Sequence, residues 1–230
     1  MRILLANKFN YLKGGAEKYF LDLCDMLKNE GHEVAKFSMA HPNNFPDKYE
    51  KYFVSNVDFN KFKISDVFSA RGGSAFGGKI AGRVLWSFEA ARKFEKLILD
   101  FKPDIVHIHN IYHQISPSII RVANKYNLPI IMHLHDYKLI CPNYKLFVNG
   151  KPCYRCKNKK YYQCAANRCL KNSFWKSLLA AMEMYLHHGI LKIYDKVDLF
   201  IAPSRFMKDV CVSFGVPAEK IKVVYNFVNP

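Results

Sequence analysis

Six short apolar runs, at residues 2–6, 32–37, 105–110, 130–132, 197–202 and 221–225, are separated by segments of helical periodicity, and this alternation limits the fold more than any other feature. Strands joined through intervening helices pair in parallel, because a parallel connection needs a crossover of about a dozen residues or more. The pattern shows no β-hairpin signal, so the expected fold class is α/β, a single doubly wound parallel sheet. Half of the 230 residues are hydrophobic and 15% are aromatic, enough to cover such a sheet on both faces. Ligands of these sheets bind beyond the carboxyl ends of the strands. Here those ends carry Gly14-Gly15, His109-Asn110, His135-Asp136 and Pro203-Ser204.

The first unit reads strand, glycine loop, helix, strand. Apolar residues Tyr19, Phe20, Leu23, Met26 and Leu27 recur at helical spacing over residues 16–28, and Gly31 ends the helix. At the start of that helix the backbone N–H groups have no intrahelical partner, so Gly14 and Gly15 either open a phosphate site or form a tight loop. The spacing is not the G-x-G-x-x-G dinucleotide fingerprint. Further helices are expected over residues 79–99, with Ile80, Val84, Phe88, Ala91 and Ile98 on its apolar side, and over 116–126 and 174–194. A short helix capped by Ser204 runs to Phe214. Gly72-Gly73 and Gly77-Gly78 bracket a flexible stretch within the least legible part of the chain.

The segment after His135-Asp136 holds five of the seven cysteines: Cys141, Cys153, Cys156, Cys164 and Cys169. Thiolates at this density, with one C-x2-C pair, suit tetrahedral zinc; unliganded thiols and disulfides are the alternatives. Cys24 and Cys211 read as core, as do Trp86 and Trp175. His107 reads as a core histidine, His109 as one able to reach the cleft, and His133 as a support for His135 on the same side of the strand. His187-His188 is a weak metal pair. The formal charge of +16 favours polyanionic partners, whether nucleic acid, an anionic membrane or phosphorylated small molecules. No apolar run reaches the roughly 18 residues of a membrane span. The first apolar run is interrupted too soon by Lys8 and Asn10 for a signal peptide, so a cytoplasmic protein is expected.

Taken in order, several segments resemble the N-terminal half of the family-4 retaining glycosyltransferases of GT-B architecture. They are Gly14-Gly15-Ala16-Glu17, Pro103-Asp104-Ile105-Val106-His107-Ile108-His109-Asn110, His135-Asp136-Tyr137, Cys141-Pro142-Asn143, Ala202-Pro203-Ser204 and Val224-Tyr225-Asn226-Phe227-Val228-Asn229. The resemblance implies a Rossmann-like domain over residues 1–225 with a cysteine-rich insert at 137–172. Residues 226–230 would begin a linker to a donor-binding domain that the chain lacks. It implies transfer of a sugar from a nucleotide-sugar donor to a saccharide or lipid-linked acceptor bound chiefly by this half. His135 would face the transferred sugar, with Asp136 orienting it or the acceptor. Gly14 and Gly15 would lie against the donor diphosphate, and His109, Asn110 and Ser204 would stand on the acceptor side. Cys141, Cys153, Cys156 and Cys169 would bind a structural zinc.

Without the donor half, efficient transfer by this chain alone is not expected. It would be a truncation, or would need a separate donor-domain polypeptide. An anionic membrane surface is an expected partner, at the inner face of the plasma membrane, whereas nucleic acid is not. A zinc-stabilised nucleic-acid binder and a non-catalytic scaffold subunit are the competing functions.

Overall fold

The computed structural model describes residues 1–56 and 82–227. The strands are β1 (Arg2–Ala6), β2 (Glu33–Phe37), β3 (Ile105–Ile108), β4 (Ile130–His133), β5 (Phe147–Val148), β6 (Lys151–Pro152), β7 (Leu199–Ala202) and β8 (Ile221–Val223). Six of them form one sheet in the order β2-β1-β3-β4-β7-β8, with every neighbouring pair parallel. The α-helices lying wholly within the described residues include α1 (Gly15–Asn29), α2 (Phe88–Phe101), α3 (Ser118–Lys125), α4 (Tyr162–Ala166), α5 (Phe174–Met184) and α6 (Arg205–Ser213). The expected α/β class and parallel sheet are therefore present. The chain runs from β1 outward to β2 and then returns to the other side of β1 as β3, which opens a crevice at the carboxyl ends of β1 and β3.

Alternation along β1 explains why both faces are covered. Ile3 and Leu5 pack with Tyr19, Phe20, Leu23 and Cys24 of α1. Leu4 and Ala6 point the other way, into the cluster that includes Phe94, Leu97 and Phe101 of α2 and Ile119 and Ile120 of α3. Each such aromatic or aliphatic side chain stabilises the fold by about 1.5–3 kcal/mol when fully buried.

Three elements differ from the sequence expectation. The helix anticipated at residues 79–99 is interrupted after Leu85 and restarts as α2 at Phe88. Ser87 makes the break: its Oγ accepts from Ala90 N–H at 3.1 Å, and its own N–H donates to Ser116 Oγ at 3.0 Å. The restart rotates the apolar face onto Ala90, Phe94, Leu97, Ile98 and Phe101, and leaves Phe88 exposed. The long helix from residue 174 widens after Met184 into a π-helical turn, Tyr185–Ile190. Trp175, anticipated in the core, is exposed.

The third difference is a hairpin: β5 and β6 pair antiparallel, apart from the main sheet, around Asn149-Gly150. Both turn residues have positive φ, 51° and 76°, as a two-residue type I′ turn requires. The proposed Gly72-Gly73 and Gly77-Gly78 bracket, Lys79, Ile80 and residues 228–230 of the proposed linker lie outside the described residues.

Candidate functional site

Parallel register places four histidines on the α1 face of the sheet. His107 of β3 lies opposite Ile131 of β4, so His107 and His109 run alongside His133 and His135. Ring centroids stand 4.5 Å apart for His107 and His109, 4.5 Å for His133 and His135, and 5.2 Å for His109 and His135. Tyr19, one helical turn after Gly15, closes the column from α1, with its ring 4.6 Å from that of His133 and 5.6 Å from that of His135. His135 is half-buried, while His109 is fully buried, its ring edge-on to Phe20. His109 Nδ1 and His135 Nε2 are 2.9 Å apart and share a hydrogen bond.

Burial dominates the chemistry of these rings. It lowers the pKa of His135 and of His107 to about 3, with neighbouring imidazoles adding to the effect. It lowers His133 to about 4, with the Asn226 side chain acting in the opposite sense, and His109 well below the ordinary range. The column is a stack of neutral imidazoles near pH 7.

Around His135 the polar groups converge. Asp136 follows it directly; burial raises its carboxyl pKa, opposed by the Lys138 N–H, which donates to Oδ1 at 2.8 Å, and by the charge of Lys8. The hydrogen-bond partner of His135 is thus His109, while Asp136 accepts from the turn that follows. Lys8 is held below its usual pKa by burial, with Asp136 and Glu17 acting in the opposite sense. Glu17 sits buried in the first turn of α1, where a carboxylate interacts favourably with the helix dipole.

Gly14 is the cap position of α1 with extended backbone, φ −167°, and no side-chain cap. A Cβ on Gly14 would meet only Glu17 Oε2, at 3.5 Å, and one on Gly15 would meet nothing within 4 Å. These glycines leave the helix N-terminus uncovered and relieve no backbone strain. Sequence reasoning had passed over Lys8, Glu17 and Tyr19. The signal for Lys8 was its place just past β1, and for Tyr19 its i+4 spacing from Gly15.

The remaining proposed residues sit at the same sheet edge in structural roles. Asn110 N–H donates to Asn7 Oδ1 at 3.1 Å and its carbonyl accepts from Lys8 N–H at 2.7 Å, which ties β1 to β3 at the switch point. Ser204 Oγ accepts from Met207 N–H at 3.1 Å and caps α6. His187 Nε2–H donates to the Leu85 carbonyl at 2.7 Å and anchors the π-helical turn. His188 stacks on Tyr194. Lys138 and Glu183 form a fully buried ion pair at 2.7 Å that joins the loop after Asp136 to α5.

The zinc expectation for Cys141, Cys153, Cys156 and Cys169 finds no support in the geometry. All seven cysteines are free thiols, and among the described residues no group of three or more His, Cys, Asp or Glu side chains is placed to hold a metal ion. Cys156 and Cys164 form a small apolar cluster with Tyr161, Ala181 and Met184, with Cys169 at its edge, and this cluster holds the insert against α5. Burial pushes Cys156 up to about 12 and Cys164 higher still, so both are protonated near neutral pH. Among the described residues no helix is long and apolar enough to cross a membrane.

The sequence profile of Glycosyltransferase Family 4 matches residues 13–230. The chain belongs to glycosyltransferase family 4. It is 33% identical over 238 residues to an uncharacterised 42.6 kDa protein in the cps region of Klebsiella pneumoniae, and it spans 56% of that relative's length. Among solved structures, it is similar to a glycosyltransferase of Rickettsia africae (14% identity, TM-score 0.49), covering 99% of this chain and 43% of that one. The apo lipopolysaccharide outer core galactosyltransferase WaaB gives 15% identity and a TM-score of 0.47, covering 99% of this chain and 46% of that one. The chain therefore spans about half the length of the proteins it matches.

Proposed function

We propose that this chain is the acceptor-binding half of a retaining glycosyltransferase, moving a sugar from a nucleotide-sugar to a polysaccharide or lipid-linked acceptor. The observation that carries this reading is the convergence of His135, Asp136, Lys8 and the uncovered N-terminus of α1 at the switch point of a family-4 sheet. In this reading His135 faces the transferred sugar, and the α1 terminus at Gly14 and Gly15 receives the donor diphosphate beside Lys8. A second, donor-binding domain closes the cleft from the other side. The cps-region relative favours a surface polysaccharide as the product class, assembled at the cytoplasmic face of the membrane.

Sugar transfer from nucleotide-sugars, measured with the chain alone and with a donor-domain polypeptide supplied, tests the proposal. No transfer is expected from the chain alone. With the second polypeptide, His135→Ala is expected to lower the rate by about 100-fold or more, the scale of losing one group aimed at developing charge. Transfer by the chain alone, or transfer indifferent to His135, refutes it.

A further inference from the structure

The hydrogen bond between His109 and His135 has only two arrangements, because each neutral imidazole carries one N–H. If His135 Nε2 donated, His109 would carry its own proton on Nε2. That nitrogen is buried and has no hydrogen-bond partner among the described residues. An orphaned buried N–H is one of the rarer and costlier defects in folded proteins, whereas an unused acceptor lone pair is better tolerated. In the other arrangement His109 Nδ1–H donates, its Nε2 is left as a bare lone pair, and His135 accepts on Nε2. His135 must then carry its proton on Nδ1. His135 is half-buried where His109 is fully enclosed, so a proton on its Nδ1 is not stranded as one on His109 Nε2 would be.

We propose that His109 is a positioning residue that fixes the tautomer of His135, so that His135 presents an N–H donor at Nδ1, and not a lone pair, to a ligand in the cleft. The ligand atom it suits is an oxygen acceptor, such as a sugar hydroxyl, ring oxygen or phosphate oxygen. His135 in this state does not accept a proton from a ligand. The surrounding column supports the assignment: His109 is clamped between His107, His133 and Phe20, so its ring cannot turn to present the other nitrogen without disturbing three packed neighbours. The functional part of this inference rests on the reading of His135 as the sugar-facing residue, whereas the tautomer itself stands on geometry alone.

The test is a long-range 1H–15N correlation spectrum of the chain labelled with 15N-histidine, with His135 assigned by the signals lost in His135→Gln. An unprotonated nitrogen resonates far downfield of a protonated one, so the spectrum names the tautomer directly. The expected result is His135 protonated on Nδ1, unchanged in His109→Asn, whose amide N–H replaces the Nδ1 donor. In His109→Leu, His135 is expected to return to the Nε2–H form that free histidine prefers. A wild-type His135 protonated on Nε2, or an Nδ1–H signal that persists in His109→Leu, overturns the proposal. Should His109→Leu fail to fold, the wild-type spectrum still decides.

With a donor-domain polypeptide present, transfer is expected to fall about tenfold in His109→Leu and little in His109→Asn, the scale of one hydrogen bond. The predicted tautomer without His135-dependent transfer would sink the reading of the site and leave the tautomer standing. The wrong tautomer with His135-dependent transfer would do the reverse.

Discussion

Acid is expected to unfold this chain through its histidine column, in a pH range where most carboxylates are still ionised. His107 and His135 are held to a pKa of about 3 and His133 to about 4, against an ordinary value near 6.5. A folded pKa lowered in this way means that below pH 6.5 the unfolded chain binds protons that the folded chain refuses. Stability therefore falls as pH drops from 6.5 towards the folded values. At about pH 5 each of the three histidines is some 1.5 units below its unfolded pKa, worth about 2 kcal/mol each and about 6 kcal/mol together. His109 is shifted the same way, as are His113, His187 and His188 outside the column, and all four add to the loss. A total stability of about 5–15 kcal/mol is normal, so a large share is gone by pH 5. Urea unfolding followed by circular dichroism between pH 7.5 and 5 measures this, with a limiting slope of about 4 kcal/mol per pH unit from these three rings alone and a steeper one for the whole chain. His107→Leu is expected to flatten the slope by about 1.4 kcal/mol per pH unit, the share of one histidine. A midpoint that stays constant between pH 6.5 and 5 refutes the neutral buried column.

Two further perturbations probe the scaffold beside the site. Glu183→Gln strands the buried Lys138 ammonium and is expected to cost about 3–5 kcal/mol in urea unfolding, whereas the apolar pair Lys138→Met with Glu183→Leu recovers most of it; an equal loss in both variants would show that the charges do not matter as a pair. Burial acts to raise the Glu183 pKa, but Lys138, His113 and His187 outweigh it and hold the carboxyl below its usual range, so the contribution of the pair persists above the unfolded carboxylate pKa and is lost only as pH falls through the lower folded value. Native thiol labelling with a maleimide is expected to be confined at early times to the half-exposed Cys153 and Cys169, with all seven cysteines reacting in denaturant without reductant; fewer than seven after denaturation would reveal a disulfide.

The parallel sheet was legible because its strands are apolar runs separated by helix-length segments, and period and spacing alone order them. The histidine column was half legible. The H-x-H spacing in residues 107–109 and 133–135 puts each pair on one side of its strand, but the contact between His109 and His135 depends on the register of β3 against β4, which no local pattern encodes. His109 lies fully buried, within hydrogen-bond distance of His135. The α2 boundary was missed because Ser87 interrupts an otherwise continuous helical rhythm, and its cap competes with propagation only once Ser116 is brought alongside. Asn149-Gly150 was available as a hairpin signal, but its two-residue strands are too short to register as periodic runs. In the insert, cysteine spacing alone cannot separate metal ligands from thiols that fill a small apolar cluster.

The route from β4 to β7 also bears on how such a chain can change length. Residues 134–198 join two neighbouring strands, about three times the span of the 109–129 connection between β3 and β4. Loop-closure entropy grows only with the logarithm of length, so tripling the excursion costs about 1 kcal/mol. That small sum is recovered by one or two well-buried side chains. The β4–β7 connection is thus the place where this architecture tolerates accretion. The strands that hold the histidines admit no comparable freedom, since a one-residue insertion there would carry the column to the opposite face of the sheet.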